Sequence, residues 1–145
     1  VVVETLAVLV ALAWAWGIET MGKVLTKPGV DYRVIAPEGF PILAAADRAS
    51  RLFDVNLTVT SAWRNDPSSL HSEGKAFDFS VANLTPAQII ALYYWFTAEL
   101  GPRYTVLYEV PALLLAQQPA NLRAIAYSNT NATAPHFHMQ IKRDV

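Results

Sequence analysis

The chain has no cysteine. Disulfides are therefore excluded, and any transition metal must be held by imidazole and carboxylate groups alone. Charge is scarce: 16% of residues are Asp, Glu, Lys or Arg and the net charge is -1, so composition offers no electrostatic handle for a nucleic acid or a polyphosphate partner. Low hydrophobicity, the mark of disorder, is also missing, since 53% of residues are hydrophobic. Histidine occurs only three times, which lets each one be placed individually. A length of 145 residues fits one domain around a single core and makes a second catalytic domain improbable. There is no internal repeat and no low-complexity tract.

Polar residues are missing altogether from Leu6 to Trp16, and the first eighteen residues are apolar apart from Glu4 and Thr5. A helix that is apolar all round must be buried, in protein or in lipid. The uninterrupted run is shorter than the ~18 to 20 residues of a usual membrane span, and no Lys or Arg precedes it as in a signal peptide. Residues 1–24 thus read as an apolar N-terminal helix, packed against protein or serving as a membrane anchor or signal remnant. On this reading residues 1–18 are the surface for a membrane or protein partner, and residues 25–145 form the remaining domain.

Pro28, Gly29, Pro37, Gly39 and Pro41 punctuate the next segment, with one short strand expected at Tyr32 to Ile35. A helix follows, in which Ile42, Leu43, Ala46, Ala49 and Leu52 recur at helical spacing and Asp47, Arg48 and Arg51 face solvent. Asn56 to Ser61 alternates with β-branched residues and reads as a strand, Trp63 to Gly74 as a polar loop, and Ala76 to Ser80 as a second strand. Thr85 followed by Pro86 starts another helix, which Gly101 and Pro102 stop. Tyr104 to Val110, Leu122 to Tyr127 and His136 to Lys142 are further strands. Turns too short for repeated crossovers predict an α+β domain with a small antiparallel sheet and helices packed on it.

The histidines are where chemistry concentrates. His136 and His138 flank Phe137, and on a strand positions i and i+2 share a face, so both imidazoles look one way while Phe137 and Met139 look the other. His71 lies seven residues before Asp78. In the strand reading Phe77 and Phe79 point into the core, and a carboxylate between two core phenylalanines needs a partner. If the strands of Asp78 and His138 are neighbours, a loop bearing His71 completes three ligands around one ion. Two imidazoles and a carboxylate suit Zn²⁺, and a catalytic zinc site keeps its fourth position open. Gly74 suits a tight turn between the loop ligand and the strand ligand. Taken singly, each residue also has an ordinary structural explanation: a hydrogen-bonded strand histidine, a loop histidine, or a carboxylate buried beside a cation.

Ser69, His71, Gly74, Ala76 and Asp78 form S-x-H-x-x-G-x-A-x-D, and His136 with His138 form a later H-x-H. Together these resemble the zinc D-alanyl-D-alanine carboxypeptidase and L-alanyl-D-glutamate peptidase family, whose fold is shared with murein endopeptidases and the Hedgehog signalling domain; SLHSEGKAFDF is especially similar to the Hedgehog version. The resemblance covers roughly residues 39–143 and omits the apolar N-terminus. It implies one zinc ion per chain on His71, Asp78 and His138, and it places Arg64, in LTVTSAWR, at the family's substrate-binding arginine. Two departures stand out. Pro135 occupies the place where many peptidoglycan-cleaving relatives carry a catalytic Glu, and Ala62 with Trp63 replace Gly and Tyr before the arginine.

By the resemblance, His136 lies beside the metal without ligating it and becomes the expected proton acceptor; Glu109, at the end of an apolar strand, is a weaker alternative base read from the sequence itself. Arg64 would bind a substrate carboxylate or the tetrahedral oxyanion, Ser69 and Ser72 would orient ligands, and Trp63 and Tyr108 would line the cleft. The implied substrate is a peptidoglycan stem peptide cut at a bond involving a D-residue, by a carboxypeptidase or an endopeptidase in the cell envelope or on a phage. Two other readings stand beside it: a non-catalytic zinc-binding module, as in Hedgehog, and a structural component of an envelope or phage assembly.

Overall fold

The computed structural model describes residues 22–143, so most of the expected N-terminal helix over residues 1–24 lies outside the described residues. The sheet begins before residue 25, because Val24 opens the first strand. Among the described residues no helix is long and apolar enough to cross a membrane.

Six strands form one sheet: β1 (Val24–Thr26), β2 (Leu57–Ser61), β3 (Ala76–Ser80), β4 (Tyr104–Pro111), β5 (Ala126–Asn129) and β6 (His136–Ile141), in the spatial order β1-β2-β3-β6-β4-β5. The helices are α1 (Phe40–Leu52), α2 (Pro86–Leu100) and the single turn α3 (Ala120–Arg123). The α+β class holds, but the sheet is neither small nor purely antiparallel. Its four inner strands pair antiparallel, while β1 runs parallel to β2 and β5 parallel to β4. The reason lies in the connections. Parallel neighbours need a crossover of a dozen or more residues. The chain has two: the segment carrying α1 between β1 and β2, and the segment carrying the 3-10 turn Ala112–Gln117 and α3 between β4 and β5.

Three local expectations change in the same way. Tyr32 to Ile35 is irregular, and the strand preceding α1 is Val24–Thr26 instead, which gains a ladder partner in β2. The expected strand Leu122 to Tyr127 is split into α3 and β5. Leu52, placed with the core by helical spacing, is 66% exposed, whereas Ala45 is fully buried.

Local chemistry explains the elements that were expected. Thr85 accepts from the Gln88 backbone N–H while the Gln88 side chain accepts from the Thr85 N–H, a reciprocal cap with Pro86 at the first helical position. Gly101, at φ 74°, ends α2. On α1, Ile42, Ala45, Ala46 and Ala49 form one buried stripe, and the Arg48 guanidinium bridges to Glu99 of α2 at 2.6 Å.

The core lies on one face of the sheet only. Phe77 and Phe79 of β3, Phe137 and Met139 of β6, and Val106, Tyr108 and Val110 of β4 are buried with the inner faces of α1 and α2. Fully burying one such side chain is worth about 1.5–3 kcal/mol. The residues between them in sequence point to the other face, which carries no helix layer among the described residues. Strand alternation therefore assigns Asp78, His136, His138 and Glu109 to one open surface.

Candidate metal centre

Asp78 on β3 is directly opposite His138 on β6, and their side chains meet with His138 Nδ1 2.7 Å from Asp78 Oδ1. His71 arrives from the side, on the 3-10 turn Leu70–Glu73 just before β3, and its Nε2 lies 3.3 Å from the same carboxylate oxygen. Ligand atoms of the three residues lie within 4.8 Å of one another, a group that could hold a metal ion.

The turn that presents His71 is built by its neighbours. Ser69 caps it by accepting from the His71 N–H at 3.2 Å, and the Ser72 hydroxyl donates to the Ser69 carbonyl at 2.8 Å. These serines brace the backbone rather than the imidazole rings. Gly74 closes the turn at φ 69°; a Cβ there would stand 2.5 Å from the Val34 carbonyl and 2.8 Å from the Ala36 nitrogen. Both positive φ and close approach demand glycine. A bulge in β2 between Val59 and Ser61 lies beside Asp78 and twists the strand where the site forms.

Hydrogen bonds dictate which nitrogen of each ring faces the centre. His71 Nδ1 is 2.6 Å from the Ala62 carbonyl, which can only accept, so Nδ1 carries the hydrogen and Nε2 offers its lone pair. His138 Nε2 is 2.9 Å from Gln140 Oε1 and its Nδ1 2.7 Å from Asp78 Oδ1, so both nitrogens of this ring face acceptors. Among the described residues His71 Nε2 is buried without a hydrogen-bond partner of good geometry, its nearest acceptor being Asp78 Oδ1 at 3.3 Å. An unpaired polar atom in the interior costs about 1–3 kcal/mol. The His71 lone pair, the His138 Nδ1 and a carboxylate oxygen converge in one buried place, a donor set that a cation could occupy. Ligand bonds of ~2.0 Å in a tetrahedral arrangement put ligand atoms about 3.3 Å apart, the separation seen between His71 and Asp78.

Burial works against the charge of Asp78, but with the rings protonated, hydrogen bonds from His138 and His71 and their positive charge outweigh it and hold the carboxyl well below the usual carboxylate range. Burial likewise opposes charge on His138, and the hydrogen bond and attraction of Asp78 overcome it and raise the imidazole.

Beside this group stands a second. Glu109 on β4 is directly opposite His136 on β6, and Glu109 Oε2 is 3.1 Å from His136 Nε2. Asn129 on β5 donates to the same Oε2 at 2.7 Å. Burial raises the Glu109 carboxyl, but the bonds from His136 and Asn129 win and lower it, so it is held ionised. His136 Nδ1 lies 2.9 Å from the Ala134 carbonyl, so both ring nitrogens face acceptors. His136 Nε2 is 3.8 Å from Asp78 Oδ1, which joins the two groups into one site.

Asp78, His138, His136, Glu109 and Asn129 line an open cleft of about 930 Å³, as does the exposed Arg64; His71 lies buried behind them. Trp63 and Tyr108 do not line it. The Trp63 ring stacks on the Arg33 guanidinium at 4.3 Å, and Tyr108 points into the core, its hydroxyl bonded to Gln118. Sequence reasoning missed Gln140, although one more step of the His136–His138 alternation reaches it. It also missed Asn129, for which no local signal exists, because only β4–β5 pairing brings it to Glu109.

A scan against protein-family models finds no match, and searches of curated proteins and of solved structures find none either.

Proposed function

We propose that this chain is a zinc-dependent peptidase that hydrolyses peptidoglycan stem peptides at bonds involving D-residues. The observation that carries this reading is the buried, unpartnered Nε2 of His71, converging with Asp78 and His138 on the floor of an open cleft. Zinc is the ion that two imidazoles and one carboxylate suit best, and three protein ligands are the number found in catalytic rather than structural sites. The substrate class rests on the likeness of the S-x-H-x-x-G-x-A-x-D and H-x-H motifs to the D-alanyl-D-alanine carboxypeptidase and L-alanyl-D-glutamate peptidase family. That likeness also favours the cell envelope, or a phage attacking it, as the place of action.

The roles of the residues follow from their surroundings. Bound zinc supplies Lewis acidity, which acidifies water and polarises a carbonyl. Ala62 and Gln140 hold the two imidazoles in the orientation that ligation needs. Glu109 has both of its contacts on Oε2, leaving Oε1 free to accept a proton. His136, hydrogen-bonded through both nitrogens, suits a donor that stabilises negative charge on the reacting oxygen and later protonates the leaving amine. Proton traffic therefore belongs to the Glu109–His136 pair rather than to His136 alone. Arg64 contributes a fork of donors at the cleft for a substrate carboxylate. Glu109 supplies the carboxylate that Pro135 denies to the usual position, and this favours chemistry over a binding-only zinc module.

Digestion of purified peptidoglycan by the zinc-loaded chain, followed by mass analysis of released peptides, tests the proposal. Cleavage at a bond next to a D-residue is expected. A chain that contains one zinc and leaves peptidoglycan intact overturns the peptidase reading in favour of the binding module.

A further inference from the structure

The cleft floor takes a side chain from every strand of the sheet: Leu25 of β1, Thr58 of β2, Asp78 of β3, His138 of β6, Glu109 of β4 and Asn129 of β5. Neighbouring strands lie ~4.8 Å apart, so the five intervals span about 24 Å. Asp78 and His138 occupy the middle interval. About 10 Å of floor thus extends to either side of the candidate metal centre, and an extended chain rising ~3.3 Å per residue lays about three residues on each side.

An enzyme that removes a terminal residue has a different shape. Its cleft needs to reach only a residue or so past the bond it cuts on one side, because the chain end is what it recognises. The cleft lining extends to both sides of the centre. The floor continues past Ser80 and Thr58 to Lys27 on one side, and past Glu109 to Asn129 and Asn131 on the other.

The two arms differ in charge. Lys27 and Arg64 line the cleft on the β1–β2 side; among the described residues neither forms a direct ion pair, and Arg64 is near enough to Asp66 to help lower that carboxyl. Asp66, next to Arg64 in the cleft lining, is engaged by the backbone N–H and hydroxyl of Ser68 at 3.1 and 2.6 Å. Beyond Glu109 the described lining of the opposite arm carries no charged side chain: Asn129, Asn131, Thr133, Ala134 and Pro135. Cationic side chains on one arm and neutral hydrogen-bonding groups on the other match a peptide with its carboxylate on the first side and main-chain amides on the second.

We infer that the substrate is an extended peptide lying across the strands, cut at an internal amide bond, with a carboxylate-bearing residue over the β1–β2 arm. This rests on the peptidase reading and decides between its endopeptidase and carboxypeptidase forms.

The test uses the full zinc-loaded chain and seven-residue peptides containing an L-Ala-D-Glu or a D-Ala-D-Ala bond. One set places that bond centrally, one places it at the C-terminus, and one keeps it central but amidates the flanking carboxylate. Central bonds are expected to be cleaved at least about tenfold faster in kcat/KM, because flanking contacts contribute to transition-state binding. Amidation is expected to raise KM several-fold in the wild type and to have little effect in Lys27→Gln. Faster cleavage of the terminal bond, or equal rates, overturns the inference and leaves the peptidase reading standing. Absence of cleavage for every peptide counts against the peptidase reading instead, and a binding measurement then decides the inference. On titrating the central-bond peptide, NMR shifts are expected at both Thr58 and Asn131; shifts confined to one side of His138 overturn it whatever the turnover.

Discussion

Glu109 and His136 face each other across the β4–β6 ladder as a registered pair, carboxylate to imidazole at 3.1 Å, one strand away from the Asp78–His138 pair. Two cross-strand pairs side by side on the same face place proton-handling groups next to ligand-type groups without any loop having to close. Both pairs are set by strand register within one sheet.

Removing a ligand should remove the metal. His71→Ala is expected to lower zinc affinity by more than about 100-fold, since even partners that merely orient a ligand are worth 10–100-fold. Gln140→Ala, which frees the His138 ring, should fall within that smaller range. Calorimetric titration with zinc, alongside metal analysis of the purified chain, checks both.

Glu109→Gln should keep zinc and lose turnover. A proton acceptor placed at the reacting centre contributes about 10²- to 10⁴-fold, so kcat on peptidoglycan peptides is expected to fall by that range. Unchanged turnover in a zinc-replete variant removes Glu109 from the chemistry.

The same carboxylate makes a pH-dependent contribution to stability. Its pKa is lowered in the folded chain because the bonds from His136 and Asn129 outweigh burial. A depressed carboxylate stabilises the fold above its unfolded pKa of ~4.3, and that contribution is lost as pH falls through the folded value. Urea unfolding of wild type and Glu109→Gln should therefore differ most near neutral pH and converge in acid.

Gly74→Ala should damage the metal centre from a distance. The new Cβ meets the Val34 carbonyl and Ala36 nitrogen at a backbone with φ 69°. Strain of about 1–3 kcal/mol is expected, relieved by shifting the turn that carries His71. Thermal unfolding and zinc titration of the variant should both register the change, with zinc affinity falling together with Tm.

Phe137 tests the opposite face of the same strand. It is fully buried between Phe96 and Tyr108, with ring centroids 5.9 and 6.0 Å away. Phe137→Ala is expected to cost about 3–5 kcal/mol, read by denaturant unfolding, and to loosen His136 and His138 on either side of it.

The one-dimensional order of residues was enough to settle what depends on short-range periodicity. Alternation at His136, Phe137, His138 and Met139, and again at Phe77, Asp78 and Phe79, decides which side chains share a face, because a strand repeats every two residues wherever it pairs. The cap at Thr85 and Pro86, the stop at Gly101 and the left-handed turn at Gly74 are equally local. Only the tertiary structure decided what depends on pairing between distant strands. β6 inserts between β3 and β4, and this brings Asp78 to His138 and Glu109 to His136; Asn129 reaches Glu109 because β5 runs parallel to β4 after a crossover that looked too short in sequence. The nitrogen each histidine presents was likewise invisible, since it is set by the Ala62 carbonyl and the Gln140 amide, whose positions relative to the rings exist only once the sheet has formed. Faces are a property of one strand, whereas sites are made where strands meet.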